Sequence, residues 1–289
     1  MDVLIGGLVS GGLYALIAQS FVLTFLTTRT LNFAVGEFMA VAAFIALALG
    51  SWSWLPGPLK IAVAVLVVGG LGALLYRLLI VPFTSGGPHD VRWLLGTVGV
   101  SFVLLNLLTN AQGANPQNLG FGRVEAFPVL LGVRLSGQSL LLAGLSVLVT
   151  IGLVLMTTRT PLGLLMRAVS ADARTASLMG VSPRAVGMLA YGLAMGIAAL
   201  AGVLWGAEVG VTPALGAPLL VGAFAVGVIG GLTSFWGPLI GGLIYGIVTQ
   251  FVSYNVGSLW GQAAGLLLVV AVLILRPEGI AGRRVEAKL

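Results

Sequence analysis

The chain has 289 residues, 58% of them hydrophobic and only 8% charged, with a formal net charge of +6. A mean hydropathy of +1.12 lies far outside soluble globular usage and points to a polytopic helical membrane protein. The chain has no cysteine, which excludes disulfides, thiolate metal sites and thiol nucleophiles, and its single histidine, His89, cannot build a multi-histidine metal centre.

Runs of about 20 apolar residues, the length that crosses a bilayer core as helix, recur from end to end. Residues Val3 to Phe25 are too long an apolar run for a signal peptide and read as the first span. In chain order the candidate spans are residues 3 to 26, 36 to 50, 59 to 80, 93 to 112, 138 to 157, 185 to 206, 216 to 231, 237 to 252 and 258 to 275. This is an all-α bundle of eight or nine spans.

Basic residues set the expected orientation. With the C-terminus cytoplasmic, the inner side receives Arg29, Arg77, Arg92, Arg159, Arg167, Arg174, Arg184, Arg276, Arg283, Arg284 and Lys288, and the outer side keeps Lys60, Arg123 and Arg134. That places the N-terminus outside. The positive charge follows from this asymmetry and anionic inner-leaflet lipid, and it calls for no nucleic-acid partner. The outer loop from Gly113 to Gly137 either folds over the outer mouth or is a solvated connector.

Sliding the sequence by 180 residues aligns residues 7 to 59 with 187 to 239, and 14 of those 53 positions are identical. Residues 34 to 44, AVGEFMAVAAF, fall on residues 214 to 224, ALGAPLLVGAF. Given the expected orientation, the repeat is inverted. Its halves span about 3–112 and 185–275, with residues 138–157 as a linker span and 158–184 as a cytoplasmic segment. Inverted repeats suit alternating access, and paired, interrupted short helices mark the transport pathway. The second span begins at Gly36 after Asn32, and its mate begins at Gly216 after Thr212 and Pro213.

Two carboxylates lie within these apolar runs, Glu37 at the start of one span and Glu208 at the end of another. A charge at depth costs about 2.5 kcal/mol or more unless paired or hydrated. Glu37 either favours its own helix N-terminus or lines the pathway; Glu208 lacks the first account but lies near the outer boundary. Glycines at four-residue spacing, such as Gly7 and Gly11 or Gly242 and Gly246, read as close helix packing.

No phosphate-cradling G-x-x-x-x-G-K-[ST] loop is present, so the chain does not itself hydrolyse ATP. In residues 157 to 185, Thr160 caps a short helix with Pro161 in its first turn, and Ser182 with Pro183 caps the next span. Leu164, Leu165, Ala168 and Val169 form its apolar stripe, with Arg167 and Arg174 elsewhere. Such a helix either lies on lipid or docks into a partner.

Three segments carry a resemblance. Leu31-Asn32-Phe33-Ala34-Val35-Gly36-Glu37 resembles the N-F-A-H-G-E segment of the permeases of branched-chain amino-acid ABC importers, with Val35 in place of the histidine. Thr160 to Gly163, Arg167-Ala168 and Ala176 to Val181 are similar to that family's cytoplasmic segment, and Arg276 to Arg283 to its R-P-x-G-[IL]-x-G close.

The resemblance implies a bacterial inner-membrane permease subunit without cofactor, metal or enzymatic activity. Its partners would be a second, related permease chain, two cytoplasmic ATPase subunits and a periplasmic solute-binding protein. Arg167, Asp172, Arg174, Ala176, Ser177 and Gly180 would belong to the ATPase-coupling element. Asn32, Gly36, Glu37, Glu208, Thr212 and Gly216 are the candidate pathway residues. The substrate would be a hydrophobic amino acid; the family also includes urea and short-amide permeases, and the charge at Glu208 points toward a polar solute. A self-contained ion-coupled carrier is the alternative of a different class. A membrane-embedded enzyme would need a catalytic cluster that the sequence lacks.

Overall fold

The computed structural model describes residues 2–83, 91–124, 129–130, 133–134 and 136–282. His89, Arg283, Arg284 and Lys288 lie outside the described residues. All nine apolar runs are helical: α1 (Asp2–Thr28), α2 (Val35–Gly50), α3 (Gly57–Leu75), α5 (Arg92–Gln112), α6 (Gly137–Arg159), α9 (Pro183–Val209), α10 (Ala217–Gly230), α11 (Trp236–Asn255) and α12 (Ser258–Leu275). A π-helical turn, Tyr76–Ile80, and a last turn, α4 (Val81–Phe83), prolong α3. Two short helices, α7 (Pro161–Ala171) and α8 (Ala173–Leu178), precede α9, and β1 (Val129–Leu130) pairs antiparallel with β2 (Val133–Arg134).

Seven of the helices are long and apolar enough to cross a membrane. The other two apolar runs, α2 and α10, have 16 and 14 residues. At about 1.5 Å per residue these reach roughly 24 and 21 Å, short of the ~30 Å hydrocarbon core.

The chain divides into two units. The first holds Met1–Val22, Val124–Val154 and Val221–Leu289. Within it, Gly7 and Gly11 of α1 face Gly246 and Gly242 of α11 so closely that a Cβ on Gly11 would overlap the Gly242 carbonyl. The four-residue spacing on both helices thus permits backbone-to-backbone packing. The core beside this crossing is built from Ala18, Ala225, Val226, Ile229 and Tyr245. Gln19 is fully buried there and donates through Nε2 to Thr150 Oγ1 (2.7 Å) and to the Phe235 carbonyl (2.9 Å). The closing segment docks by backbone bonds, with Ile280 N–H donating to the Ile229 carbonyl and Ala281 N–H to that of Gly230 (2.8 and 2.9 Å).

The second unit holds Leu23–Arg123 and Leu155–Leu220. Its centre is α9, against which α2 and α3 pack. Gly202 admits the Met39 backbone, Gly72 admits Met195, and Gly187 admits the Tyr76 ring. Tyr191 is fully buried beside Tyr76, ring centroids 5.0 Å apart. Helix α5, by contrast, leaves Leu95, Phe102 and Leu107 more than 60% exposed, as a lipid-facing span does.

Candidate functional site: two helix breaks and a short helical segment

The first break follows from side-chain competition with helix hydrogen bonds. Helix α1 stops at Arg29, which adopts φ +58, a conformation β-carbon residues seldom take. Asn32 then accepts the Ala34 N–H through Oδ1 at 3.0 Å, replacing a helical bond with a side-chain turn. Its Nδ2 points at Met195 Sδ on α9, 3.2 Å away, and the residue is fully buried. The break is thereby tied to α9.

Glu37 lies in the first turn of α2, only 5% exposed, and its Oε2 has no hydrogen-bond partner. No side chain caps α2 at Ala34. The capping account of Glu37 is left with the helix dipole alone, worth about 0.3–1 kcal/mol, against the ~2.5 kcal/mol or more of a charge at depth. The carboxylate oxygen Oε2 thus lies buried beside the first break without a hydrogen-bond partner among the described residues. Glu37→Gln is therefore expected to leave insertion and assembly intact and to lower transport at least tenfold in reconstituted vesicles. Unchanged transport would return Glu37 to a packing role.

The second break spans the residues after α9. Gly210 turns the chain at φ +93, and Val211 pairs with Gln117 through both backbone bonds (3.0 and 2.8 Å). Gln117 of the long loop therefore touches this break, while its neighbours Asn115, Pro116 and Asn118 stay exposed. Thr212 accepts the Leu215 N–H through its carbonyl (3.1 Å), Pro213 is buried in the turn, and Gly216 precedes α10.

The breaks meet at their glycines. A Cβ on Gly36 would lie 2.9 Å from the Gly216 carbonyl carbon, and one on Gly216 would overlap the Gly36 Cα and carbonyl. Of the six candidate pathway residues, the fold joins Asn32, Gly36 and Glu37 at one break with Thr212 and Gly216 at the other. Glu208 is placed otherwise: its Oε2 is 3.7 Å from Arg123 Nε, with side chains 21% and 53% exposed. The long loop supplies it with a countercharge.

The expected coupling residues lie on two helices rather than one. Thr160 accepts the Gly163 N–H through Oγ1 at 3.3 Å, capping α7 as its sequence indicates, and Ser182 caps α9 through Ala185 N–H at 3.4 Å. Between α7 and α8 the chain breaks at Asp172, extended at φ −159, because its carboxylate accepts the N–H groups of Arg174 and Thr175 (2.9 and 3.2 Å). Helix α8 closes at Gly180, φ +84, with Gly180 N–H bonded to Ser177 and Val181 N–H to Ala176 (both 3.1 Å), the paired bonds of a Schellman ending.

The buried stripe of α7 is Gly163, Met166 and Val169, which corrects the stripe of Leu164, Leu165, Ala168 and Val169 expected from spacing. Gly163 has no side chain, so α7 approaches the end of α6 until a Cβ there would overlap the Met156 carbonyl and Thr157. That contact turns Leu164 outward to 60% exposure. Arg167, Asp172, Arg174, Ser177 and Gly180 are exposed while Ala176 is buried, and Leu178 and Met179 are each 81% exposed.

The Thr175 hydroxyl, with the Thr175 and Arg174 N–H groups, holds the Asp172 carboxyl below its ordinary value of 3.8. A depressed folded value means that the cap's contribution is present above the ordinary value and lost as pH falls through the lower folded one. Protection of the Arg174 and Thr175 amides, taken relative to the intrinsic exchange rate at each pH, should hold between about pH 7 and pH 5 and fall only in stronger acid, whereas Asp172→Ala should lower it throughout the pH 5–7 range.

A hydroxyl cluster was not evident from sequence. Thr30 Oγ1 lies 2.6 Å from Tyr191 Oη and 2.7 Å from Thr28 Oγ1, bonding the first break to α9 a second time. Its signal was the recurrence of Ser20, Thr24, Thr27 and Thr28 in an apolar span. Lys60 is also buried, its Nζ donating to the Gly50 carbonyl (3.2 Å) and sitting 4.9 Å from the Phe121 ring centroid.

Residues 3–276 match the family described as the permease component of the branched-chain amino acid transport system. The chain is 30% identical to a Pseudomonas aeruginosa protein, the high-affinity branched-chain amino acid transport system permease BraD, over 97% of this chain and 95% of that one. It is 27% identical to a probable branched-chain amino acid permease, LivH, of Methanocaldococcus jannaschii, over 97% and 92% of the two chains. Its identity with the LivH permease of Escherichia coli K12 is 26%, over 96% and 94%. The family match runs through both helix breaks and the α7–α8 segment.

Proposed function

The chain belongs to the branched-chain amino acid transport permease family, and from that premise we propose that it is the membrane subunit of an ABC importer for branched-chain or other hydrophobic amino acids in the bacterial inner membrane. Two ATPase subunits drive it, a second permease chain completes the pathway, and a periplasmic binding protein delivers the solute. The N-terminus faces outside and the C-terminus the cytoplasm, in keeping with the distribution of arginines.

The observation that carries this reading is the meeting of two helix breaks at Gly36 and Gly216, with an unbonded buried carboxylate one residue away. Unwound backbone at membrane depth is tolerated where protein buries it or water reaches it. The inverted repeat gives the same account of why both breaks exist: helices of 27 residues, α1 and α9, each lead into a break and then a short helix.

Force reaches the breaks through α9. ATP-driven closure of the ATPase pair displaces α7 and α8, whose exposed charges and apolar tips form the docking element. The tight ending at Gly180 and the Ser182 cap leave little slack between α8 and α9. Helix α9 then moves Tyr191 against Thr30, Met195 against Asn32 and Gly202 against Met39, all at or beside the first break. A rigid-body shift of that kind switches access between the two sides. Reconstitution tests the reading: transport should require the ATPase subunits and ATP. A chain that alone moved solute down an ion gradient would be a secondary carrier.

A further inference from the structure

An open groove runs between α3 and α9 on an exposed face of the second unit. Its floor is Gly69, Gly70 and Gly192, its walls include Leu66, Leu189 and Leu193, and it encloses about 760 Å³. The lining runs along α9 from Ala185 to Leu200, roughly 23 Å of helix at 1.5 Å per residue. That exceeds the ~15 Å of one leaflet in a ~30 Å hydrocarbon core.

At one end the groove shares Ala185 and Met188 with a second pocket of about 680 Å³, lined also by Arg77, Pro82, Ser182 and Arg184. Arg77 comes from the π turn that prolongs α3, and Arg184 from the first turn of α9. Among the described residues, neither guanidinium has an ion-pair partner and no carboxylate lines the pocket. The apolar part therefore meets two exposed cations, one on the π turn that prolongs α3 and one in the first turn of α9.

We infer that this composite site binds an anionic phospholipid, with an acyl chain along the Gly69–Gly192 floor and the phosphate between Arg77 and Arg184. The apolar trough offers nothing to a polar solute. Two guanidiniums lining one pocket with no carboxylate among the described lining residues favour a headgroup whose negative charge is uncompensated, because a bound choline would sit against the cations. Arg184 lies two residues after Ser182, the cap joining the α7–α8 segment to α9. A lipid held there would steady the hinge on which the importer's stroke acts.

Native mass spectrometry of the purified full chain, exchanged into equal amounts of phosphatidylglycerol and phosphatidylcholine, tests this. Phosphatidylglycerol should be retained at least fivefold over phosphatidylcholine, and the double variant Arg77→Gln/Arg184→Gln should remove that preference. Gly70 has open space around it, so Gly70→Trp should fill the trough without disturbing the helix crossing and displace both lipids. Equal retention of the two lipids, or unchanged retention in either variant, would overturn the site. So would a disulfide between Leu189→Cys and a cysteine on a second permease chain in the assembled complex, since the groove would then be a chain interface; the chain's lack of native cysteine makes that crosslink unambiguous.

Discussion

Deletion of Arg167–Gly180 is expected to abolish association with the ATPase subunits while the rest of the chain still inserts. The deleted segment is held to its own unit by few side chains: Val169 on α7 and Ala176 on α8 are buried, and Leu178 and Met179 project almost bare. Two large apolar residues of that exposure are each worth about 1.5–3 kcal/mol if a partner covers them. Losing both, with Arg167 and Arg174 alongside, removes several kcal/mol of docking energy, two or more orders of magnitude in affinity. Co-purification on a tagged ATPase reads this directly, and retained assembly would place the coupling surface elsewhere. A milder variant, Leu178→Ser/Met179→Ser, should weaken association without removing the Gly180 ending.

The second large effect is expected at Gly216. A Cβ there would overlap the Gly36 Cα and carbonyl, so even alanine forces two backbone segments apart, and no rotamer relieves it. At Gly36 the nearest atom is 2.9 Å from the added carbon, a smaller intrusion. Overpacking of this kind costs about 1–3 kcal/mol. Gly216→Leu should abolish transport in proteoliposomes, Gly216→Ala should reduce it strongly, and Gly36→Ala should be the mildest of the three. Equal effects at both glycines would mean that the breaks do not bear on each other in the working protein.

The nine helical segments were legible from length and hydropathy, because a bilayer span must satisfy every backbone group within itself. The caps at Thr160 and Ser182 were equally legible, since a side-chain oxygen two or three residues before a free N–H is local chemistry. The stripe of α7 was not. Spacing favoured Leu164 and Leu165, but the helix packs through Gly163, whose contribution is the absence of a side chain and leaves no hydropathy signal. The break at Asp172 was passed over for a related reason: arginines and alanines on either side kept the helical pattern alive through a residue that caps instead of continuing.

Glu37 shows where the division falls. Its presence in an apolar run, the glycine beside it and the break before it belong to the sequence. That its carboxylate is buried without a bond, that Gly36 rests against Gly216, and that Asn32 and Thr30 are held by Met195 and Tyr191 belong to the tertiary structure. Hydropathy and capping act within a few residues along the chain, so the sequence determines them alone. Contacts across more than 160 residues depend on which helix faces are brought together, and only the packed chain decides that.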